Sequence, residues 1–144
     1  MPRAILLLLI LATQPIVAGG HAEEKVSPDR PPSAPQFTLK NFEGRVVRLK
    51  DYKGKIVVIN FWATWCAPCL AEVPEVVRLQ RSYRNRGLQV VGVTYPPVNR
   101  AQARRLAVKF RINYPLLFGT RRIAALYGVT NALPVTIIVG RHRG

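Results

Sequence analysis

The stretch Ile56-Val57-Val58-Ile59-Asn60-Phe61-Trp62-Ala63-Thr64-Trp65-Cys66-Ala67-Pro68-Cys69 decides how this chain is read. Its first half is a continuous apolar run rich in β-branched residues, the pattern of a strand buried on both faces of a sheet. Its second half ends in Cys-x-x-Cys, and these are the two cysteines of the chain. Beyond it Leu70, Val73, Val76, Val77 and Tyr83 recur at spacings of three, four and seven, which marks an amphipathic helix. Both thiols are therefore expected where a buried strand hands over to a helix.

That position has chemical consequences. The first N–H groups of a helix lack internal partners, and the aligned peptide dipoles add about half a positive charge there. Both stabilise a thiolate at Cys66, so its pKa should lie below the free value of about 8.5. Cys69, one turn later, is within disulfide reach and less exposed, which suits a resolving thiol. Pro68 in the first turn costs little, because its missing N–H would have had no helical partner.

Three other readings of the motif stand beside redox chemistry. Structural zinc needs about four ligands, and the chain adds only His21 and His142, one near each terminus. Covalent haem needs a His directly after the second Cys, where Leu70 stands. A purely structural disulfide closing so short a loop would remove little unfolded-state entropy. Context and spacing together favour redox chemistry, with no metal and no cofactor required.

The run Val58–Cys69, followed by Glu72 and Pro74, resembles the TlpA/ResA type of thioredoxin-like proteins, which are extracytoplasmic thiol–disulfide oxidoreductases. The resemblance covers roughly Ala34 to Gly140. It implies an α/β thioredoxin-like fold: a central mixed sheet flanked by helices, with an N-terminal β-hairpin extension. In that family a glutamate at the place of Glu72 faces the cavity beneath the cysteines and assists proton movement. Thioredoxin itself uses an aspartate on the preceding strand, where this chain has Asn60. The alternative for Glu72 is a solvated acid favoured near a helix N-terminus. The resemblance also implies a cis bond at Leu133-Pro134, with the Leu133 backbone pairing to an incoming peptide. Trp65 is expected to pack beside the pair and restrict access, or to serve only as an apolar cap. Peroxiredoxins resemble Pro-x-x-x-Thr-x-x-Cys, and no proline stands at that place before Cys66. Peroxidase activity is not expected.

Outward from this centre, the 144 residues suffice for one domain with a real core. Met1-Pro2-Arg3, the unbroken hydrophobic run Ala4 to Ala12 and the small residues Ala18-Gly19-Gly20-His21-Ala22 form the pattern of a signal peptide over residues 1–22. Cleavage is expected after Ala22 or Ala18; the alternative is an uncleaved anchor, for which the run is short. No cysteine follows it, so lipidation is not expected. Residues 23–35 read as a linker, with Pro28, Pro31, Pro32 and Pro35 favouring extended chain. The domain is expected over residues 36–144.

Within it, Gln36–Leu39 and Val46–Leu49 flank Asn41-Phe42-Glu43-Gly44 as a hairpin, and Lys50–Lys55 is a polar turn. The helix from Cys66 to about Asn85 should kink at Pro74, whose ring removes a hydrogen bond to Leu70. Arg78, Arg81 and Arg84 share a solvated face. Leu88–Tyr95 is a second buried strand, Asn99 caps a helix to Phe110, Tyr114–Phe118 is extended, and Thr120 caps a short helix ending at Gly128. Val135–Val139 is the last strand. The family continues with another strand and helix, whereas this chain stops at Gly144; the fold is expected to lack both, which leaves an inactive truncated product as one reading.

Lys and Arg number 22 against seven Asp and Glu, a net charge of +15, and no acid follows Glu75. Such a field favours acidic protein substrates or an anionic membrane surface. The basic residues form no nucleic-acid motif, so nucleic acid is not an expected partner. The reading is an exported dithiol oxidoreductase acting on a disulfide- or thiol-bearing protein substrate, with a membrane thiol carrier as electron source. The resemblance points to the haem-binding cysteines of apocytochrome c or similar periplasmic thiols. A different class stays open: a module holding a thiol-bearing client or Cu(I) between two thiolates.

Overall fold

The computed structural model describes residues 33–141. The expected signal peptide, residues 23–32 of the expected linker, His21 and His142 lie outside the described residues. A two-stranded antiparallel hairpin, β1 (Thr38–Lys40) and β2 (Val46–Arg48), comes first. It pairs Thr38 with Arg48 and Lys40 with Val46 around a turn in which the Asn41 carboxamide accepts N–H bonds from Glu43 and Arg45. The strands are shorter than the sequence suggests. Phe37 is buried outside β1, and Leu49 opens a 3-10 turn over Leu49–Tyr52 where an end of strand and a polar turn were expected. Asp51 closes that turn by accepting the Arg48 N–H at 2.8 Å.

The central sheet is built from β3 (Ile56–Trp62), β4 (Leu88–Thr94), β5 (Leu116–Phe118) and β6 (Val135–Val139), in the spatial order β5-β4-β3-β6. Strands β3, β4 and β5 are parallel, and β6 runs antiparallel to β3. The sheet is thus mixed, as the resemblance implied. Paired on both edges and covered on both faces, β3 has six of its seven residues buried. At about 1.5–3 kcal/mol for each large apolar side chain removed from water, Ile59 and Phe61 make it the most firmly held element.

Alternation along the strands divides the core in two. On one face Val58, Trp62, Val90 and Leu116 meet Val73 and Val77 of α1 (Ala67–Tyr83) and Ala103 of α2 (Arg100–Lys109). On the other, Val57, Ile59, Phe61, Val91 and Val93 meet Ala124 of α3 (Arg121–Leu126) together with Phe37 and Leu39. Helix starts follow the expected caps: Asn99 accepts from the Gln102 N–H, and Thr120 from the Ile123 N–H. Helix α1 is continuous through Pro74 and passes at Tyr83 into a 3-10 turn, Arg84–Arg86. Gly87 ends it at φ 83°, a left-handed conformation that favours glycine. The arginine face of α1 is exposed, with Arg78 paired to Glu75. Among the described residues β6 is the last element and forms a sheet edge, with Ile138 69 % exposed.

Tyr127 ties the start of the domain to α3, its phenol donating to the Pro35 carbonyl. Burial pushes its ionisation up to about 12 from an ordinary 10.0. A raised folded pKa means the fold holds the proton, so this contribution to stability is present below pH about 10 and is lost as the pH climbs towards 12. In Tyr127→Phe, the urea midpoint should fall less steeply over that interval than in the wild type. Parallel curves would refute the assignment.

Candidate active site

The site is assembled at the carboxyl end of β3. Because β3 is fixed by neighbours on both sides, the turn Ala63-Thr64-Trp65 that leaves it starts from a defined point. The Cys66 N–H donates to the Ala63 carbonyl at 3.2 Å and closes that turn. Cys66 is extended (φ −91°, ψ 98°) and occupies the cap position of α1, with Pro68 in the first turn. Its Sγ accepts the Cys69 N–H at 3.2 Å, so the cysteine takes the place that a Ser or Asp side chain fills in an ordinary helix cap. No acidic side chain lies in the first turn of α1 to offset the positive end of the helix.

Cys66 and Cys69 are joined as a disulfide, with Cα atoms 5.3 Å apart. Cys66 is 5 % exposed and Cys69 1 %. Cys66 is therefore the more exposed residue of the two, although it too is largely covered. Trp65 is 58 % exposed and belongs to neither half of the core.

On β3, Asn60 uses both of its amide hydrogens. One goes to Glu72 Oε1 at 2.8 Å, the other to Thr136 Oγ1 at 3.1 Å. Glu72 comes from the second turn of α1, Asn60 from the middle of the sheet, and Thr136 from β6, where it faces Asn60 in register. The three side chains form one hydrogen-bonded set.

Two further groups border it. Tyr114 is buried, and burial first, then the Glu72 charge, push its phenol far above the ordinary range, so it stays a neutral donor. The Trp62 indole N–H is buried without a protein partner among the described residues. Gly92 makes room for both rings: a Cβ there would stand 2.5 Å from a Leu116 methyl, 3.2 Å from Tyr114 and 3.3 Å from the Trp62 nitrogen. Thr136, Tyr114 and Gly92 were not singled out by sequence reasoning. Their only signal is the strand order, which places β6 and β4 on either side of β3.

The Leu133-Pro134 bond is cis. Leu133 is half-buried against both halves of the core, including the one that contains Cys66 and Cys69. A second cis bond, not anticipated, joins Pro96 and Pro97 in the loop after β4. Among the described residues no three His, Cys, Asp or Glu side chains gather into a metal-holding group, and no helix is long and apolar enough to cross a membrane.

Geometrically, then, a bonded pair of sulfurs sits at a helix start, and the carboxylate three residues after the second one accepts a hydrogen bond from the central strand. Such a pair can form and break a disulfide. Known proteins agree with this chemistry. Residues 32–143 match the AhpC/TSA family. The chain is 33 % identical over 145 residues to the thiol-disulfide oxidoreductase ResA of Geobacillus thermodenitrificans, covering 99 % of this chain and 81 % of that protein. It is 36 % identical to the thioredoxin-like protein YneN of Bacillus subtilis, covering 83 % and 70 %. A crystal structure of a thiol:disulfide interchange protein DsbE from Chlorobium tepidum superposes with a TM-score of 0.71 at 31 % identity, covering 80 % of each chain. The chain belongs to the AhpC/TSA family, among its thioredoxin-like thiol–disulfide oxidoreductases of the ResA type.

Proposed function

We propose that the protein is exported and reduces disulfides of extracytoplasmic proteins, with the haem-binding cysteines of apocytochromes c as the favoured substrates. The observation that carries the reading is Cys66 Sγ at the cap of α1, accepting the Cys69 N–H at 3.2 Å. In the reduced protein this donor and the helix dipole favour the thiolate at Cys66 over the thiol. The thiolate attacks a substrate sulfur; the substrate S–S bond breaks, a Cys66 mixed disulfide forms, and one substrate thiolate departs. Cys69, deprotonated, then attacks Cys66 Sγ. The Cys66–Cys69 bridge forms and the second substrate thiol leaves. The bridged state is thus the oxidised end of the cycle, and a dithiol carrier in the membrane restores the reduced form.

In this reading Glu72, which accepts a hydrogen bond from Asn60, takes the Cys69 proton and returns it to the leaving thiolate. Trp65 and the backbone of Leu133 beside Pro134 form the docking rim. Export is supported by the leader-like residues 1–22, and the excess of basic residues suits an anionic membrane surface close to the carrier.

Reduced full-length protein should reduce insulin, and Cys66→Ser should abolish the activity; activity that survives this change would sink the proposal. An ultraviolet absorbance titration should find a first thiol ionisation below the free value of about 8.5. Asn60→Asp would set a second carboxyl against Glu72, and two such groups cannot both ionise freely. The pH profile of disulfide exchange should then gain a step above the ordinary carboxylate range. An unchanged profile would remove Glu72 and Asn60 from the proton path.

A further inference from the structure

Tyr95, the residue after β4, is bonded at both of its ends. Its N–H donates to the Trp62 carbonyl at 2.7 Å, which fixes its backbone to the last residue of β3. Its hydroxyl donates to the Thr130 carbonyl at 2.5 Å. Thr130 stands three residues before Leu133, in the loop that leads to the cis bond. Between these two bonds the ring packs against both halves of the core, as Leu133 also does. Among the described residues, the Tyr95 bond is the one hydrogen bond that ties the stretch from Thr130 to Leu133 to the rest of the fold. The segment is otherwise placed by the buried Val129 before it, whose N–H donates to the Ala124 carbonyl at 2.8 Å, by β6, which begins at Val135, and by the partial burial of Leu133.

We infer that Tyr95 is a positioning residue that sets the distance and angle between the Leu133-Pro134 segment and Cys66, and thereby selects extended polypeptide disulfides over small ones. The inference rests on the proposed docking of substrate along Leu133. A polypeptide must satisfy two constraints together: its backbone pairs along Leu133 while its disulfide reaches Cys66 Sγ. A small disulfide has only the second to meet. Tyr95 joins the two parts of the site because one of its bonds ends on the strand that carries the cysteines and the other on the loop that receives the chain. Losing the phenol oxygen leaves the ring, and hence the packing, in place. It frees the loop without touching the sulfurs.

The test uses the reduced full chain and Tyr95→Phe, with insulin as the polypeptide substrate and 5,5′-dithiobis(2-nitrobenzoate) as the small disulfide. The variant should show a rise of about fivefold in KM for insulin, in keeping with the loss of one hydrogen bond. Its kcat and its rate with the small disulfide should be unchanged. Amide hydrogen exchange at Asn131, Ala132 and Leu133 should quicken in the same variant. An unchanged KM, or an equal loss on both substrates, overturns the inference, as does unchanged exchange in the loop. If the wild type itself fails to reduce insulin, the proposed function fails instead, and the hydrogen-exchange comparison still decides whether Tyr95 holds the loop.

Discussion

The double anchoring of β3 is the constraint on which the rest of the molecule depends. Hydrogen bonded to β4 on one side and β6 on the other, and covered by core on both faces, it has no freedom to shift register. A slip by one residue would turn Ile59 and Phe61 into the opposite half of the core and carry Asn60 away from Glu72. The turn that follows therefore starts from a fixed point, and the cap of α1 falls on Cys66. An N–H donor aimed at sulfur has value only if it is held in place beforehand. Here the sheet holds it.

The polar chemistry around Asn60 is distributed over three elements that meet only in the folded state. A carboxylate on a helix, a carboxamide on the central strand and a hydroxyl on the neighbouring strand make one hydrogen-bonded set. With an amide at the strand position, the carboxylate has a donor facing it and no second negative charge. The opposite choice, acids on both elements, would hold a proton between them and alter the pH at which the site works.

Much of this was legible from the chain alone, and for definite reasons. The β3 strand, the cap at Cys66, the caps at Asn99 and Thr120, and the helix end at Gly87 all rest on local chemistry that neighbouring residues carry. Asn60 and Glu72 were each marked by the family resemblance, and the bond between them came from the fold. Thr136, Tyr114 and Tyr95 could not, because each enters the site through the order of strands in the sheet, and no short-range pattern encodes that order. The 3-10 turn at Leu49 shows a capping acid, Asp51, overriding an apolar alternation that reads as strand.

The covalent link between Cys66 and Cys69 spans a separation of three residues and lies wholly within the cap and first turn of one helix. Opening it therefore frees no distant part of the chain, and closing it draws no distant parts together. The bridge itself constrains only these few residues. A partner that tells the spent form from the charged one therefore finds the covalent difference itself confined to the cap and first turn of α1.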